Sequence, residues 1–240
     1  DAGVASPQVL TAAISITLPV QQPGDVLDAW AKRTVSVLDA RIDAIQTRLR
    51  ALPGVESVAI ANRLPASGDW GWNSVFSIPG RTLDDTPSAE WRFVSPDYFR
   101  TFGIPVNAGR AFDAKDGSGA LYPTQVLVNQ AFVDRYLSGT DPLSQTIVIF
   151  GDQPKRIVGV VGNVHQAGPD RPPNAEVYFP VAKAAVGDLV VALKVRGTAL
   201  AFAGPLRRAM HEVAPDVPLY SIRTMDDVTG DKLLLRRFNM

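Results

Sequence analysis

Between Leu10 and Leu18 apolar and small polar residues alternate, a period of two that predicts a half-buried β-strand, ended by Pro19 and Pro23-Gly24. From Asp25 the period lengthens. Val26, Trp30, Val37, Leu38, Ile42, Ile45, Leu49 and Leu52 recur at three-to-four spacing, with Lys32, Arg33, Asp39, Arg41, Asp43 and Arg48 mostly on the other face. A helix gathers such positions into one apolar stripe, and Pro53-Gly54 stops it. Val55 to Ile60 then predicts a second strand, completing a βαβ unit. The same grammar returns late in the chain: a strand run over 189–195, a helical stripe of Leu200, Ala203, Leu206, Met210 and Val213, and a strand over 217–222. Leu49-Arg50-Ala51 before Pro53-Gly54-Val55 parallels Arg207-Arg208-Ala209 before Pro215-Asp216-Val217. Two βαβ halves with both helices on one face are what a ferredoxin-type split sheet requires. The fold class predicted is therefore α+β: a split βαβ sheet with the middle of the chain inserted into it as a separate, β-rich lobe.

Within that middle portion, 74–78 and 90–94 alternate as strands, and Val126-Leu127-Val128 is a buried-strand candidate. Runs at 147–149, 157–161 and 176–179 complete the β-rich part. Ser95-Pro96-Asp97 offers a hydroxyl N-cap, a Pro at the first helical position and an acid in the first turn, predicting a short helix over 98–102 stopped by Gly103. Asn129 is expected to cap a helix through Tyr136. Segments 113–124 and 162–174, rich in Gly and Pro, are expected as exposed connections.

At about 150 residues per domain, 240 residues make one or two units, with enough chain for a core that needs no staple. Lys plus Arg number 24 and Asp plus Glu 24, so there is no net charge with which to grip nucleic acid. The absence of cysteine excludes disulfides, thiolate zinc sites and a Cys nucleophile, and leaves the compartment open. Two histidines, His165 and His211, exclude a His-rich metal site. Apolar stretches fall short of the roughly 18 residues of a spanning helix. The start at Asp1-Ala2-Gly3 and the amphipathic basic close, Leu233 to Met240, read as a piece of a longer chain, with an apolar segment expected after it.

Candidate chemistry is sparse. Glycines from Gly151 to Gly162 permit the close backbone approach of a phosphate loop, but no Gly-Lys-Ser/Thr and no helix follow, so a strand turning into a loop is expected. Ser67-Gly68-Asp69-Trp70-Gly71-Trp72 offers two aromatics to stack on a sugar or apolar ligand, against a packed loop as the ordinary reading. His165 has Asp170 or Glu176 as partners for base work and Ser118 or Ser144 as distant hydroxyls, with no supporting spacing. His211 beside Glu212 reads as a solvated or salt-bridged position. The acid pairs Asp84-Asp85 and Asp226-Asp227 are scattered. Asp113 to Gly119 resembles a calcium loop that lacks the terminal Glu and carries Lys115 among the ligands. No catalytic, cofactor-binding or metal-ligating residue is assigned, and no cofactor. The reading from a different class is a secreted ligand-binding domain or hydrolase using the Trp70, Trp72 and His165 loops.

Several phrases in order resemble the periplasmic core domain of MacB/FtsX-type ABC transporter permeases, particularly the duplicated permeases common in acidobacteria. They are Leu52 to Ala59, Val94 to Pro105 with Ala108-Gly109-Arg110, Val128 to Phe132, Gly139 to Leu143, Ile157 to Val164, Glu176 to Pro180, and Arg236-Arg237-Phe238-Asn239. The resemblance implies a porter-like subdomain over 8–65 and 186–228, an inserted sabre-like subdomain over 66–185, and the start of a membrane-proximal stalk over 229–240. It implies a non-enzymatic periplasmic domain of an inner-membrane permease, coupling cytoplasmic ATP hydrolysis to conformational change for export, efflux or lipoprotein and envelope work. Implied partners are the protein's own transmembrane helices, a cytoplasmic ATP-binding subunit, a second permease copy, and a periplasmic adaptor or substrate protein. Under this reading the residues that matter lie at Arg63-Leu64-Pro65, at Pro180-Val181-Ala182 and in the basic exit Lys232 to Arg237.

Overall fold

The computed structural model describes residues 4, 8–67, 72–83, 86–116, 123–149, 153–166, 171–181 and 186–230. The opening unit is β1 (Val9–Ser15), α1 (Leu27–Arg50) and β2 (Val55–Ala61); the closing unit is β10 (Asp188–Val195), α4 (Ala203–Val213) and β11 (Leu219–Thr224). Between them run β3 (Trp72–Val75), β4 (Ser88–Val94), α2 (Tyr98–Phe102), β5 (Val106–Gly109), β6 (Gln125–Asn129), α3 (Gln130–Tyr136), β7 (Thr146–Val148), β8 (Pro154–Val161) and β9 (Glu176–Pro180).

The two βαβ halves interleave as β11-β1-β10-β2, every neighbour antiparallel, which is the split arrangement expected. The insertion extends the same sheet as β4-β9-β6-β8-β5, with β3 on β4 and β7 on β8. The middle of the chain thus continues the sheet rather than standing apart from it. Its strand pairing with the split half is narrow: a single register pair, Ala61↔Val94, joins β2 to β4.

Both long helices cover one face. Leu38, Ile42, Ile45 and Leu49 of α1 share a core with Leu206, Ala209 and Met210 of α4 and with the alternate residues Val58, Ile60, Val191 and Leu193 beneath them. The opposite parity, Ala59, Ala61 and Ala192, packs against Tyr98, Phe99 and Phe102 of α2 and against Met225 and Val228. A helix of the insertion therefore lies on strands of the split half. Covered on both faces, β1 is almost wholly buried rather than half-buried. Thr11, in a nominally polar position, is 2% exposed with its hydroxyl donating to Arg223 O at 3.0 Å.

Helix stripes agree with expectation along the Leu38–Leu49 line and fail beside it and at their ends. Val26 is exposed because α1 meets the sheet only from Thr34 onward, Val37 because it lies one residue, about 100°, round the helix from the buried stripe, and Leu200 because it sits in a single 3-10 turn before α4. Arg41 grips Asp216 with two bonds of 2.8 Å, and Arg48 Nε bonds Glu212 at 2.9 Å, tying α1 to the end of α4 and the turn after it. Asn129 caps α3 as expected, accepting from Phe132 N–H. Ser95 does not cap α2, which starts from Asp97 without a side-chain cap. The hydroxyl is taken by β2 instead. Gly103 ends α2 in the left-handed region at φ 68°.

Candidate functional site at the seam of the sheet

Where β2 meets β4, backbone pairing is so short that side chains complete it. Ser95 N–H donates to Ile60 O at 2.8 Å, and Ser95 Oγ accepts from Ile60 N–H at 2.9 Å. One residue beyond the strand, Asn62 N–H donates to Phe93 O at 3.1 Å, and Asn62 Oδ1 accepts from Phe93 N–H at 3.0 Å. After Asn62 the chain leaves through Arg63-Leu64-Pro65, where the Arg63 guanidinium stands 5.9 Å from the centre of the Trp72 ring.

Beside the seam lies a buried polar network on the α2 face of β4 and β9. These strands pair in parallel with Glu90 opposite Glu176 and Arg92 opposite Tyr178. Arg92, Glu176 and Tyr178 are each 0% exposed. Arg92 Nε donates to Glu176 Oε1 at 2.7 Å and Arg92 Nη2 to Glu90 Oε2 at 3.2 Å. Gln166 Nε2 adds a bond to Glu176 Oε1 at 2.9 Å, Tyr178 Oη one to Glu176 Oε2 at 2.5 Å, and Asn174 Nδ2 one to Glu90 Oε1 at 2.6 Å. The carboxamide oxygen of Gln166 accepts from Ala66 N–H at 2.8 Å, linking the network to the chain just past the exit from β2. Asn129 adds a backbone tie, its Oδ1 accepting from Glu176 N–H at 2.9 Å.

Burial works most strongly against the Arg92 charge, yet the attraction of the Glu176 carboxylate and its hydrogen bond, together with the neighbouring Tyr98 and Tyr178, outweigh it and keep the guanidinium protonated. The phenols of Tyr98 and Tyr178 are pushed well above their ordinary value, chiefly by burial. Arg92 Nη1 and Asn62 Nδ2 are buried and have no hydrogen-bond partner among the described residues. Removing one member of such a buried pair strands the other, a loss of about 3–5 kcal/mol, so this network holds geometry more than it adds net stability.

On the other face a cleft of about 400 Å³ opens between α1 and the insertion. Asp39, Asp43 and Arg50 line one wall; Pro96, Asp113, Pro180 and Val181 line the facing side. Arg50 reaches across to Asp97 at 3.1 Å. Thus Pro180-Val181 of the expected junction borders the cleft, and Arg63-Leu64-Pro65 leaves the seam. Ala182 and the basic exit Lys232 to Arg237 lie outside the described residues.

The other sequence candidates are occupied by neighbours. Gly159 lies within β8, and a Cβ there would meet Arg110 O at 2.2 Å, so strand packing accounts for this glycine without a phosphate. The Asp113–Asp116 turn is filled by Arg110, whose Nη1 and Nη2 bond Asp116 at 2.6 and 2.8 Å. Burial would raise the Asp116 carboxyl, but the Arg110 hydrogen bond, the Asp113 backbone N–H and the Arg110 charge together outweigh it and hold the carboxyl below its usual 3.8. Trp72 packs on Trp91 with ring centroids 4.5 Å apart, and His165 Nδ1 lies 2.8 Å from Arg171 O. Ser144 Oγ donates to Asp141 O at 2.7 Å. His211 is exposed beside Glu212, which Arg48 holds. Trp70, Asp84, Asp85, Ser118, Gly151 and Asp170 lie outside the described residues. Of the possible partners of His165, Glu176 is committed to Arg92, Gln166 and Tyr178.

Sequence reasoning missed Arg92 and Gln166, and offered Glu176 to His165 where the structure gives it to Arg92, Gln166 and Tyr178. Glu90-Trp91-Arg92-Phe93 alternates as a strand with one solvated face would, and 162–174 reads as an exposed connection. In the structure that polar face is covered, and Val164 and Gln166 are buried. The usable signal was a Glu and a Tyr at alternating positions of a second strand, 176 and 178, matching the Glu and Arg of the first.

The MacB-like periplasmic core domain family matches residues 8–203. The periplasmic region of MacB from Actinobacillus actinomycetemcomitans is similar in fold, with a TM-score of 0.55 at 15% identity over 95% of this chain and 94% of that one. A domain of a protein described as a permease from Porphyromonas gingivalis gives a TM-score of 0.50 at 15% identity, covering 90% of this chain and 88% of that one. No curated protein matches the chain. No helix among the described residues is long and apolar enough to cross a membrane. The family is one of transporter permease domains, which is not an enzyme class. With the match spanning most of the chain and the split sheet with its insertion agreeing in fold, this chain belongs to the MacB-like periplasmic core domain family, the periplasmic domain of an ABC transporter permease.

Proposed function

We propose that this domain transmits force rather than performing chemistry. Residues 8–65 and 186–228 act as a porter-like body fed by the transmembrane helices, and 66–185 as a sabre-like body that presents the movement to the periplasm. ATP hydrolysis in a cytoplasmic partner subunit moves the membrane helices of the permease, held in the inner membrane. A stalk beginning at 229 carries that displacement into the split sheet, and the sheet passes it across its seam for export, efflux or envelope work. A second permease copy and a periplasmic adaptor or substrate protein are the partners this role calls for. The observation that carries the reading is the seam: one register pair, Ala61↔Val94, between two broad blocks of strands, with a cleft alongside. A sheet bends most easily where its ladder is shortest.

The test is an engineered disulfide across the cleft, from the exposed face of α1 to the segment at 112–114, in the full-length transporter. Transport or survival is expected to fall when the bridge forms and to return on reduction. Activity that persists with the bridge confirmed would rule out relative movement of the two bodies and leave a passive docking platform.

A further inference from the structure

The connection from β2 into the insertion is pinned at two points. Asn62 exchanges two bonds with Phe93, and Ala66 N–H is held by Gln166, with Arg63-Leu64-Pro65 spanning the length between them. The second pin is strained. Ala66 sits at φ 50°, a left-handed conformation that an alanine side chain disfavours and that surrounding contacts must impose. Gln166, 7% exposed, is fixed in turn by Glu176, so the pin is anchored in the buried network and not in a loose loop.

We propose that the Ala66–Gln166 bond is a releasable clasp that sets the length of the connection between the two parts of the sheet. Closed, it holds Ala66 in its left-handed turn and keeps the connection short. Opened, it lets Ala66 relax to a negative φ and pays out chain beyond Pro65, while Glu176 keeps its bonds from Arg92 and Tyr178 and the network survives. The clasp stands on the geometry alone; its role in movement rests on the force-transmitting reading above.

Two variants test it in opposite directions. Gln166→Met keeps the volume and removes both bonds; Ala66→Gly removes the backbone strain and favours the closed form. Amide hydrogen exchange at position 66 reads the clasp directly, with the β10 amides of Val191 and Leu193 reporting global opening. Gln166→Met is expected to speed exchange at position 66 at least tenfold with β10 unchanged, and Ala66→Gly to slow it several-fold. Spin labels at D43C and D113C, across the cleft, should give a broader distance distribution in the first variant and a narrower one in the second. Unchanged exchange at position 66 in Gln166→Met overturns the clasp, as does wild-type exchange at Ala66 that merely tracks β10. Should Gln166→Met lose protection everywhere, Ala66→Gly decides: slower exchange supports the clasp, and equal or faster exchange overturns it. If both variants behave as expected while the cross-cleft disulfide leaves transport intact, the clasp stands and the force-transmitting reading falls.

Discussion

Glu176 gives up its water for three side-chain donors, from Arg92, Gln166 and Tyr178, and that exchange organises the α2 face of the insertion. Its neighbours make the arrangement measurable. Tyr98 and Tyr178 have phenols raised above the ordinary 10.0, chiefly by burial, so the folded state binds these protons more tightly than the unfolded state does. The stability this contributes is complete below pH 10 and is lost as pH climbs toward the raised folded values. In an ultraviolet titration, two of the five tyrosines are expected to stay protonated at about pH 11 while the protein is folded and to ionise only as it unfolds. Five phenols titrating together with one midpoint near 10 would contradict their burial. The alternating Glu and Tyr at 176 and 178 are visible in the sequence, but their enclosure is not, because the identity of a residue does not say whether the polar face of its strand meets solvent or a second layer.

For single elements the match with the sequence is closer. The central stripe of α1, Leu38 to Leu49, is buried as its spacing predicts, because helix periodicity is fixed by backbone geometry within the element. Where a stripe outruns the surface it packs on, periodicity misleads, as Val26 and Leu200 show, and an apolar residue beside the stripe, Val37, stays partly in solvent. Leu49, at 0% exposure, lies on the part that meets the sheet. Leu49→Ala is therefore expected to cost about 2–5 kcal/mol in urea unfolding. Val37→Ala, changed on the same helix but 38% exposed, should stay within roughly 0.5 kcal/mol of wild type. Equal effects from the two substitutions would refute the packing described. The helix over 98–102 was also predicted correctly in position, yet for a reason that fails: Ser95, read as its cap, closes the seam instead. A hydroxyl three residues before a helix satisfies whichever amide lacks a partner, and a neighbouring strand competes for it.

Across the whole molecule, the seam sets how the two blocks of strands are joined, and Ser95 tests it. Ser95→Ala leaves the buried Ile60 N–H without an acceptor, for an expected loss of about 1–3 kcal/mol. Amide exchange should rise first along β2 and β4, before β1 and β10. A uniform rise, or none, would show that the seam opens only with the whole sheet. The sequence by itself determined the two βαβ units, the β-rich character of the middle and the family, since each is written in short runs of residues, and the right-handed crossover of a βαβ unit then set both helices on one face. Only the tertiary structure decided that the insertion continues the same sheet, that one register pair joins it, and that Gln166 meets Ala66 from 100 residues away. Strand and helix periods follow from local backbone geometry, whereas which strand edges meet, and which polar side chains are enclosed when they do, depends on packing among segments far apart in the chain.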